Sequence, residues 1–461
     1  MAQDLTVGKS GRVLLKFTIP ILISVAFQQF YSIADSLIAG RFAGETALAA
    51  VGASYPITNI FNAIAFGCNI GCSVVVSQYF GAKRYKKVKT SAYTALISTL
   101  VLGGVITLLG VLLTPALLRV VDTPQNIFSQ SAVYLSVYVG GFVFLFLYNV
   151  SNGIFTSLGD SKKPLYFLIF SSVFNITLDY IAVAKLHMGV AGVAWATFIA
   201  QGVAGVISVV SLLKTLRRLK TDEKPPLFSF RILRKITAMS IPSILQQSFV
   251  SVGNVFIQKL INGYGSPVIA GFSAAMKLNT FTINALYAFS NSVSSFTAQN
   301  MGAGKINKIK SGMKYCSLMS IVTGCVFALT YITLREPLIE LFMDSEYSAE
   351  AVKSGVAFLK TVSPFYCFIG VKLVGDGVLR GTGKMNLFMV ATFTDLVLRV
   401  VLAFVLSPVM GYTGIWVSWP IGWCVATVLS IAFYFAVINK MKKADAEYEL
   451  PQIVRTVQKR P

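Results

Sequence analysis

Two aspartates in apolar stretches carry the side chains best suited to chemistry. Asp35 lies in FYSIADSLIAG, residues 30–40, and Asp179 lies in NITLDY, residues 175–180. A carboxylate near the middle of a bilayer costs roughly 2.5–3.5 kcal/mol on insertion scales. No basic residue stands three or four positions before or after either acid. We therefore interpret both acids as candidates for reversible binding of a proton or a cation.

The two acids are predicted to lie at one depth. Asp35 precedes Arg41 by six residues, and Asp179 precedes Lys185 by six. At about 1.5 Å per residue, each carboxyl lies roughly 9 Å below the same interface, which favours one shared, water-accessible pocket. Asn175, four residues before Asp179, shares its helix face and can hydrogen-bond either protonation state. The alternative is a structural hydrogen-bonded cluster, or an acid satisfied by a lysine on another helix.

Two further acids in the second half of the chain have basic neighbours. Asp376 has Lys372 four residues before it and Arg380 four residues after it, and Asp395 has Arg399 four residues after it. These spacings place the charges on one helix face. We interpret both groups as structural ion pairs, with a role in conformational switching or coupling as the alternative.

The composition is that of a membrane protein. Hydrophobic residues make up 55% of the chain and charged residues 13%, against roughly 25% charged in soluble domains. The polar start MAQDLTVGKSGR does not indicate a cleavable signal peptide, so we expect the first helix to direct insertion. We predict an all-α polytopic membrane protein with twelve transmembrane helices, because twelve apolar runs can each cross a core of about 30 Å. They cover residues 14–40, 47–79, 90–116, 127–157, 164–184, 188–213, 236–263, 268–300, 313–334, 351–379, 386–407 and 411–439.

The net charge of +22 is concentrated in alternate loops. One side holds basic runs such as KRYKK (83–87) and the stretch 214–235. By the positive-inside rule this side is cytoplasmic, so both termini face the cytoplasm of a multi-pass protein in the cell inner (plasma) membrane. We expect anionic membrane lipids, and no nucleic acid, as the electrostatic partner. The opposite loops hold only Arg41, Arg119, Lys185, Arg335 and Lys353.

The sequence repeats itself at about 222 residues. SQYFGAKRYKKVK (77–89) matches AQNMGAGKINKIK (298–310), and MGVAGVAWA (188–196) matches MGYTGIWVS (410–418). An even number of spans per repeat predicts two parallel six-helix lobes with a pseudo-twofold axis along the membrane normal. The predicted domains are an N-lobe at 1–213, a basic cytoplasmic linker at 214–235, a C-lobe at 236–440 and a cytoplasmic tail at 441–461.

The repeat also indicates how the protein could work. A seam between two similar bundles can open on one side and then on the other, which is the geometry of alternating access. The alternative is a duplication that only builds a larger scaffold. The repeat aligns Asp179 with Arg399 and Asn175 with Asp395, so the two lobes differ in chemistry.

No pattern indicates an enzyme. The single His187 lies in a predicted outer loop, and the six cysteines fall in apolar segments without C-x-x-C spacing. We therefore predict no catalytic residues, no cofactor and no metal site. A membrane-embedded enzyme and a passive channel are alternatives that assays of product formation and conductance would reveal.

Several stretches together resemble the bacterial multidrug type of the multidrug and toxic compound extrusion (MATE) family. They are YSIADSLIAGRFAGETALAAVG (31–52), SQYFGAKRYKKVK, NITLDY, MGVAGVAWAT and GDGVLRGTGK (375–384). The likeness covers nearly the whole chain. It implies a V-shaped, outward-open form that exports organic cations, driven by inward flow of H⁺ or Na⁺.

The resemblance also implies a cation-coupling network in the N-lobe. Asp35, Asn175 and Asp179 match its positions, and Tyr134 and Thr197 resemble its further members. Some family members carry an additional acid in helix 7. Here that helix reads SILQQSFVSVGNVFIQKL, which argues against a sodium site in the C-lobe, although the oxygens of the N-lobe network could hold Na⁺.

Aromatic and amide side chains are candidates for the substrate site. Aromatic faces stabilise delocalised cations, and amides offer unselective hydrogen bonds, whereas contact with lipid or packing is the alternative for each aromatic. The candidates are Phe27, Gln28, Phe30 and Tyr31 on helix 1, with Gln246, Gln247 and Asn254 on helix 7.

The sequence therefore predicts a monomeric secondary active antiporter. It would export small-molecule organic cations, mainly amphipathic ones, in exchange for H⁺ by alternating access. The first alternative is a Na⁺-coupled antiporter of the same fold. The second is a lipid-linked saccharide flippase of the same superfamily, to which Lys259, Lys277, Lys360 and Lys372 would contribute positive charge.

Overall fold

The computed structural model describes residues 3–38, 42, 44–343 and 349–457, and these ranges contain helices and no β-strand. Hydrocarbon offers backbone groups no water, so a spanning segment satisfies them internally as a helix. The helices of the first half are α1 Ser10–Ile38, α2 Glu45–Gly81, α3 Tyr85–Leu112, α4 Thr114–Val120, α5 Gln125–Gly140, α6 Phe142–Ser157, α7 Lys162–Asp179, which a π-helical turn Tyr180–Lys185 extends, and α8 Gly189–Arg217.

The second half repeats this order of elements. Its helices are α9 Phe230–Asn262, α10 Ser266–Gly302, α11 Ile306–Thr333, α12 Arg335–Glu340, α13 Ala349–Val362, a 3-10 turn Ser363–Phe365, α14 Tyr366–Gly381, α15 Met385–Met410 and α16 Tyr412–Val457.

The prediction of an all-α protein with twelve spans is confirmed. Within the described ranges, nine helical segments are long and apolar enough to cross a membrane, and the pair α5–α6 makes a tenth with a 43° bend. The remaining two are α9 and α10, with 33 and 37 residues. They are less apolar, because α9 begins with FRILRK and α10 carries many serines and asparagines.

Backbone angles at the turns preserve the internal repeat. Gly44, before α2, has φ 87° and ψ 171°, and Gly265, before α10, has φ 85° and ψ 169°. Such angles favour glycine, which has no Cβ to clash. At the end of the same helices, Lys83 has φ 56° where Gly304 has φ 69°. The two halves therefore share turn geometry even where the residue types differ.

The contacts of the chain define two compact units. Unit 1 comprises the start of the chain up to Asp4 together with Leu15–Ser251, and unit 2 comprises Leu5–Leu14 together with the chain from Val252 onward. The division falls inside α9, between Ser251 and Val252. This point is sixteen residues beyond residue 235, the end of the basic linker in which the lobe boundary was expected. The predicted domain limits remain predictions.

Close glycine packing explains why the first part of α9 belongs to unit 1. A Cβ on Gly71 of α2 would lie 2.8 Å from the carbonyl oxygen of Ile236, and a Cβ on Gly67 would lie 2.7 Å from the backbone nitrogen of Ile244. Glycines four residues apart allow two helix backbones to approach closely. The G-x-x-x-G pair thus joins α2 to α9.

The linker after α8 is also held by unit 1. Lys86 forms an ion pair with Glu223, and the Ser229 N–H donates to Thr94 Oγ1 at 3.1 Å. The hydrogen bond from the Lys86 ammonium lowers the pKa of the Glu223 carboxyl. Both groups are exposed, so solvent screens this pair and it contributes little to stability.

The segment before α1 is bound by unit 2. Leu5 is 1% exposed, and its N–H donates to Gln299 Oε1 at 2.9 Å. Lys308 Nζ donates to the carbonyl oxygens of Thr6 at 2.7 Å and Gly8 at 2.9 Å. Residues near the start of the chain are therefore fixed by residues about three hundred positions later.

Candidate functional site

Two helices of unit 1 bring the predicted acids together. Helix α1 carries Tyr31 and Asp35, and α7 carries Asn175 and Asp179. Each pair is four residues apart, which places both members on one helix face. Asp179 is the last residue of α7, and the next turn is π-helical, with the Leu186 N–H donating to the carbonyl oxygen of Ile181 at 3.0 Å. Such wider turns occur often at functional sites.

The carboxyl groups of Asp35 and Asp179 lie close enough to be hydrogen-bond partners of each other. Asp179 is 1% exposed, whereas Asp35 is half-buried. One oxygen of each carboxyl, Oδ1, has no hydrogen-bond partner. Neither acid forms an ion pair with a lysine or arginine within 4.0 Å in the described part of the chain. A hydrogen bond between two carboxyls needs one proton between them, so the arrangement suits a shared proton.

The side-chain amide of Asn175 connects the acids to their surroundings. Its Nδ2 donates to Asp179 Oδ2 at 3.0 Å and to Tyr31 Oη at 2.7 Å, and its Oδ1 accepts from the backbone N–H of Thr197 at 3.3 Å. This orientation follows from the hydrogen bonds, because the reverse would set Oδ1 against a carboxylate oxygen. Thr197 therefore joins the network through its backbone, which side-chain chemistry alone does not indicate.

Aromatic side chains of α5 lie beside the network. Tyr134 is buried, interacts electrostatically with Asp35 and Asp179, and stacks on Tyr138 with ring centroids 5.9 Å apart. Small apolar residues of α2 and α8 pack against Tyr134. The structure thus places all five residues predicted for the coupling network in one region of unit 1.

A cavity of about 140 Å³ adjoins this region. Its wall includes Leu168 and Asn175 of α7, so it extends about 10 Å along that helix, toward Lys162 and away from Asp179. A volume of this size has room for several water molecules. Tyr31 and Asn175 belong to the wall, whereas Asp35 and Asp179 do not. The polar part of the wall comes from Gln28, Tyr31, Tyr148, Ser171, Ser172, Asn175, Thr197 and Gln201.

The residues predicted to bind substrate have different locations. Gln28 and Tyr31 line the cavity. Phe30 is 72% exposed, since it is rotated about 100° from Tyr31 on α1. On α9, Gln246 is buried, Gln247 half-buried and Asn254 exposed, and none of these three, nor Phe27 or Phe30, belongs to the cavity wall.

Four polar residues of the cavity wall were not predicted, namely Tyr148, Ser171, Ser172 and Gln201. Ser172 precedes Asn175 by three positions, and Gln201 follows Thr197 by four. Helical spacing from the predicted residues would have found both. Tyr148 of α6 has no such local signal, because its proximity depends on how α6 packs against α7 and α8.

The charges of the second half form a different cluster. Lys372 Nζ lies 2.7 Å from Asp376 Oδ2 and donates to Thr392 Oγ1 at 3.1 Å. Arg380 donates to Ser290 Oγ at 2.7 Å. Close packing brings Ser290 within reach, because a Cβ on Gly381 of α14 would lie 2.5 Å from the Ser294 carbonyl oxygen of α10.

The other two direct ion pairs expected from the spacing are not formed within 4.0 Å in the described part of the chain. These are Asp376–Arg380 and Asp395–Arg399. Arg399 instead stacks its guanidinium 4.4 Å from the ring centroid of Trp419. A spacing of four residues permits a pair, but partners on other helices compete for a long side chain.

Comparison with known proteins identifies the family. A family model described as MatE matches residues 20–181 and 242–405. The probable multidrug resistance protein YpnP of Bacillus subtilis (strain 168) is 28% identical over 417 residues, which cover 90% of this chain and 92% of that protein. The probable multidrug resistance protein YoeA of the same organism is 25% identical over 434 residues, covering 92% and 93%.

A solved structure shows the same fold. It is described as an outward-facing conformation of a multidrug resistance MATE family transporter of the MOP superfamily, and it aligns with a TM-score of 0.89 at 24% identity over 96% of this chain and 98% of that one. The two family-model matches cover most of the chain and begin at Pro20 and Pro242, in agreement with the internal repeat. The chain therefore belongs to the MatE family and is a multi-pass membrane protein.

Proposed function

We propose that the protein exports organic, mainly cationic amphipathic compounds in exchange for H⁺ by alternating access. The observation that carries this proposal is that the carboxyls of Asp35 and Asp179 lie near each other, with Asp179 linked through Asn175 to a polar cavity. Each proton taken up removes one negative charge beside that cavity. At about 5 Å and an effective dielectric constant near 20, one charge is worth about 3 kcal/mol to a bound cation, on the order of a hundredfold in affinity.

That difference in affinity can drive a transport cycle. With the acid pair ionised, a cation binds in the cavity. A proton arriving from the outside weakens this binding and releases the cation, and the protonated form returns to accept the next one. A ligand shifts a conformational equilibrium only through such differential affinity.

The orientation of Asn175 favours H⁺ over Na⁺ as the coupling ion. Sodium binding uses oxygen ligands, but the amide turns its N–H groups toward Asp179 and Tyr31 and its oxygen toward Thr197. A Na⁺-coupled cycle would require the amide to reverse.

The remaining functional assignments follow from the sequence. We propose that the helix ends at the lysine-rich loops face the cytoplasm, as do both termini, and that these loops contact anionic lipids of the inner membrane. The proposed working form is a monomer, since one unit contains the whole acid pair and its cavity.

Ethidium transport by purified protein in proteoliposomes tests this proposal. A pH gradient alone should drive uptake, and a sodium gradient at clamped pH should not. Asp35→Asn and Asp179→Asn should each abolish coupled uptake, because each removes a titrating group while retaining its size. Asp160→Asn is the matched control, since Asp160 is also buried in unit 1 but accepts from the Lys163 N–H at the start of α7.

Three results would count against the mechanism. Uptake driven only by sodium would support the Na⁺-coupled alternative. Full coupled activity in both acid variants would remove the acid pair from the cycle. Transport of a lipid-linked saccharide, with no response to organic cations, would support the flippase alternative.

A further inference from the structure

The interior of unit 2 contains more positive than negative charge. Lys372, Arg380 and Arg399 are cations, Asp376 and Asp395 are acids, and each of the five is at most 9% exposed. Arginine stays protonated in proteins, and Lys372 contacts the Asp376 carboxylate directly. With both acids ionised the cluster has a net charge of +1, and protonation of either acid would increase it.

No other acid on the neighbouring helices can balance this charge. Helices α10, α11 and α16 all pack against α14. Neither α10, α11 nor residues 412–443 of α16 contain an aspartate or a glutamate. The excess cation therefore lies among apolar and hydroxyl-bearing side chains, where an uncompensated charge is strongly destabilising.

Arg399 is the cation without a hydrogen-bond acceptor. It is 6% exposed, its Nε has no partner, and its guanidinium makes no hydrogen bond within the described residues. Stacking on Trp419 at 4.4 Å covers one face of the guanidinium. The N–H donors lie in the plane of that group and point past its edge, so stacking cannot satisfy them. The indole Nε1 of Trp419 also lacks an acceptor.

Further donors and charges surround the same position. Arg380 Nε has no partner. Tyr287 of α10 lies near Lys372, Arg380 and Arg399, and it is only half-buried. Buried polar groups in proteins almost always have partners, including ions and water.

We propose that this cluster of unit 2 binds a monovalent anion, with Arg399 as the main ligand. A single negative charge neutralises the net charge of +1, whereas a phosphate dianion would reverse it. The chemistry fits a free halide, and it equally fits one carboxylate of a transported molecule. The inference does not depend on the proposed proton exchange, because it concerns residues of the other unit.

The internal repeat gives this site a counterpart of opposite sign. Helices α7 and α15 occupy equivalent places in the two repeats, and sequence similarity pairs the Asn175–Asp179 segment with Asp395–Arg399. When positions are counted from the first residue of each helix, Arg399 in α15 lies within one helical turn of the place that Asp179 has in α7. Unit 1 thus presents acids where unit 2 presents a guanidinium. One unit would take a cation and the other an anion.

Thermal unfolding of the full-length protein in zwitterionic nanodiscs tests the proposal. Chloride and acetate are titrated at constant ionic strength against isethionate, a larger sulfonate. We expect a saturable rise in Tm of about 2–5 °C with at least one small anion. A response to chloride alone identifies a halide site, and a response to acetate identifies a carboxylate site. The same Tm in all three anions would overturn the proposal.

Two charge variants separate binding from a structural role. Arg399→Gln should abolish the anion-dependent rise, whereas Asp395→Asn should bind at least tenfold more tightly, because its cluster has one more uncompensated charge. Arg231→Gln, at an exposed arginine of α9, is the matched control and should respond as the unaltered protein does. Equal anion responses in the Arg399→Gln and Asp395→Asn variants would contradict the assignment.

Tryptophan fluorescence provides a second measurement if Arg399→Gln does not fold. The protein has four tryptophans, and Trp419 lies against the proposed ligand. Quenching by iodide should show a saturable component that chloride or acetate competes away and that Trp419→Phe removes. Purely linear quenching of the unaltered protein would exclude a bound halide.

Discussion

At the scale of single residues, Asn175 determines how the acid pair meets the rest of unit 1. Its amide contacts an acid, a phenol and a neighbouring helix at once. The Asn175 Nδ2 group donates a hydrogen bond to Oδ2 of Asp179. The other carboxyl oxygen of Asp179, Oδ1, has no hydrogen-bond partner, although this side chain is only 1% exposed. Oδ1 of Asp179 can therefore accept a proton without the loss of an existing hydrogen bond.

Replacing Asn175 by leucine should weaken coupling without removing a charge. The change keeps the branching of the side chain, although leucine is larger, and loses the hydrogen bonds to Asp179 and Tyr31. Such a bond is worth about 1.5–3 kcal/mol to a carboxylate and about 0.5–1.5 kcal/mol to a neutral phenol. We expect the initial rate of ethidium uptake driven by a pH gradient to fall about tenfold or more. Rates in proteoliposomes, normalised to protein, measure this.

Asn149→Leu is the control for this change. The Asn149 amide donates to the Leu145 carbonyl oxygen of its own helix at 2.9 Å and is remote in sequence from the acid pair. Its uptake rate should remain within about twofold of the unaltered protein. Equal losses in the two variants would show that the contacts of Asn175 have no special part in coupling.

Residue spacing in the sequence predicts only some of the residues of this site. Asp35, Asn175 and Asp179 stand out because unpaired polar groups in apolar segments are costly, and the structure brings them together. The backbone N–H of Thr197 and the phenol of Tyr148 could not be chosen from sequence, since every helix has such groups. The pairing of Arg399 with Trp419 likewise depends on the packing of α15 against α16.

At the scale of elements, breaks in the helices shape the site more than their lengths do. The π-helical turn follows Asp179 directly, and α5 bends by 43° into α6 at Gly141. A hydropathy pattern reports apolar surroundings and is insensitive to a change in hydrogen-bond register, so it predicted each span as continuous. The adjacent Gly140 and Gly141 were the available signal for the bend.

The G-x-x-x-G contact of α2 predicts opposite effects for two similar substitutions. Gly71→Ala should destabilise the protein by about 1–3 kcal/mol, because its Cβ would meet the Ile236 carbonyl oxygen of α9 at 2.8 Å. Gly104→Ala on α3 meets nothing within 4 Å and should stabilise its helix by about 0.5–1 kcal/mol. Thermal unfolding in detergent measures both.

The decisive result is which of the two variants, Gly71→Ala or Gly104→Ala, has the lower stability. A Gly71→Ala variant at least as stable as Gly104→Ala would show that α9 can move away from α2 without loss. It would then be wrong to regard this contact as the reason that the first part of α9 belongs to unit 1.

At the scale of the whole molecule, duplication was readable from sequence, whereas the division into units was not. The matching motifs at 77–89 and 298–310 gave the repeat, and Gly44 and Gly265 preserve it in the backbone. The division after Ser251 depends on which helices touch. Apolar runs report contact with lipid or protein without distinguishing between them, so the linker was the natural place to expect the boundary.

Cysteines placed at the two ends of one span test the proposed orientation. Lys162 and Lys185 are exposed at opposite ends of a segment of 24 residues. A membrane-impermeant maleimide should label Lys185→Cys in intact cells and Lys162→Cys only after permeabilisation, because the lysine-rich side is proposed to be cytoplasmic.

The parent protein, with its six native cysteines, sets the background of this labelling. Reversed labelling of the two sites would show that the positive-inside rule fails for this chain. Labelling of both sites in intact cells would indicate two orientations.

The binding of the segment before α1 to unit 2 has a consequence for biosynthesis. The partners of Leu5 and Thr6, Gln299 and Lys308, are synthesised about three hundred residues after them. During translation this segment cannot form its final contacts until α10 and α11 have been inserted. Docking of this segment is therefore a late event in maturation, and a chain stalled before α10 would leave it accessible to proteases.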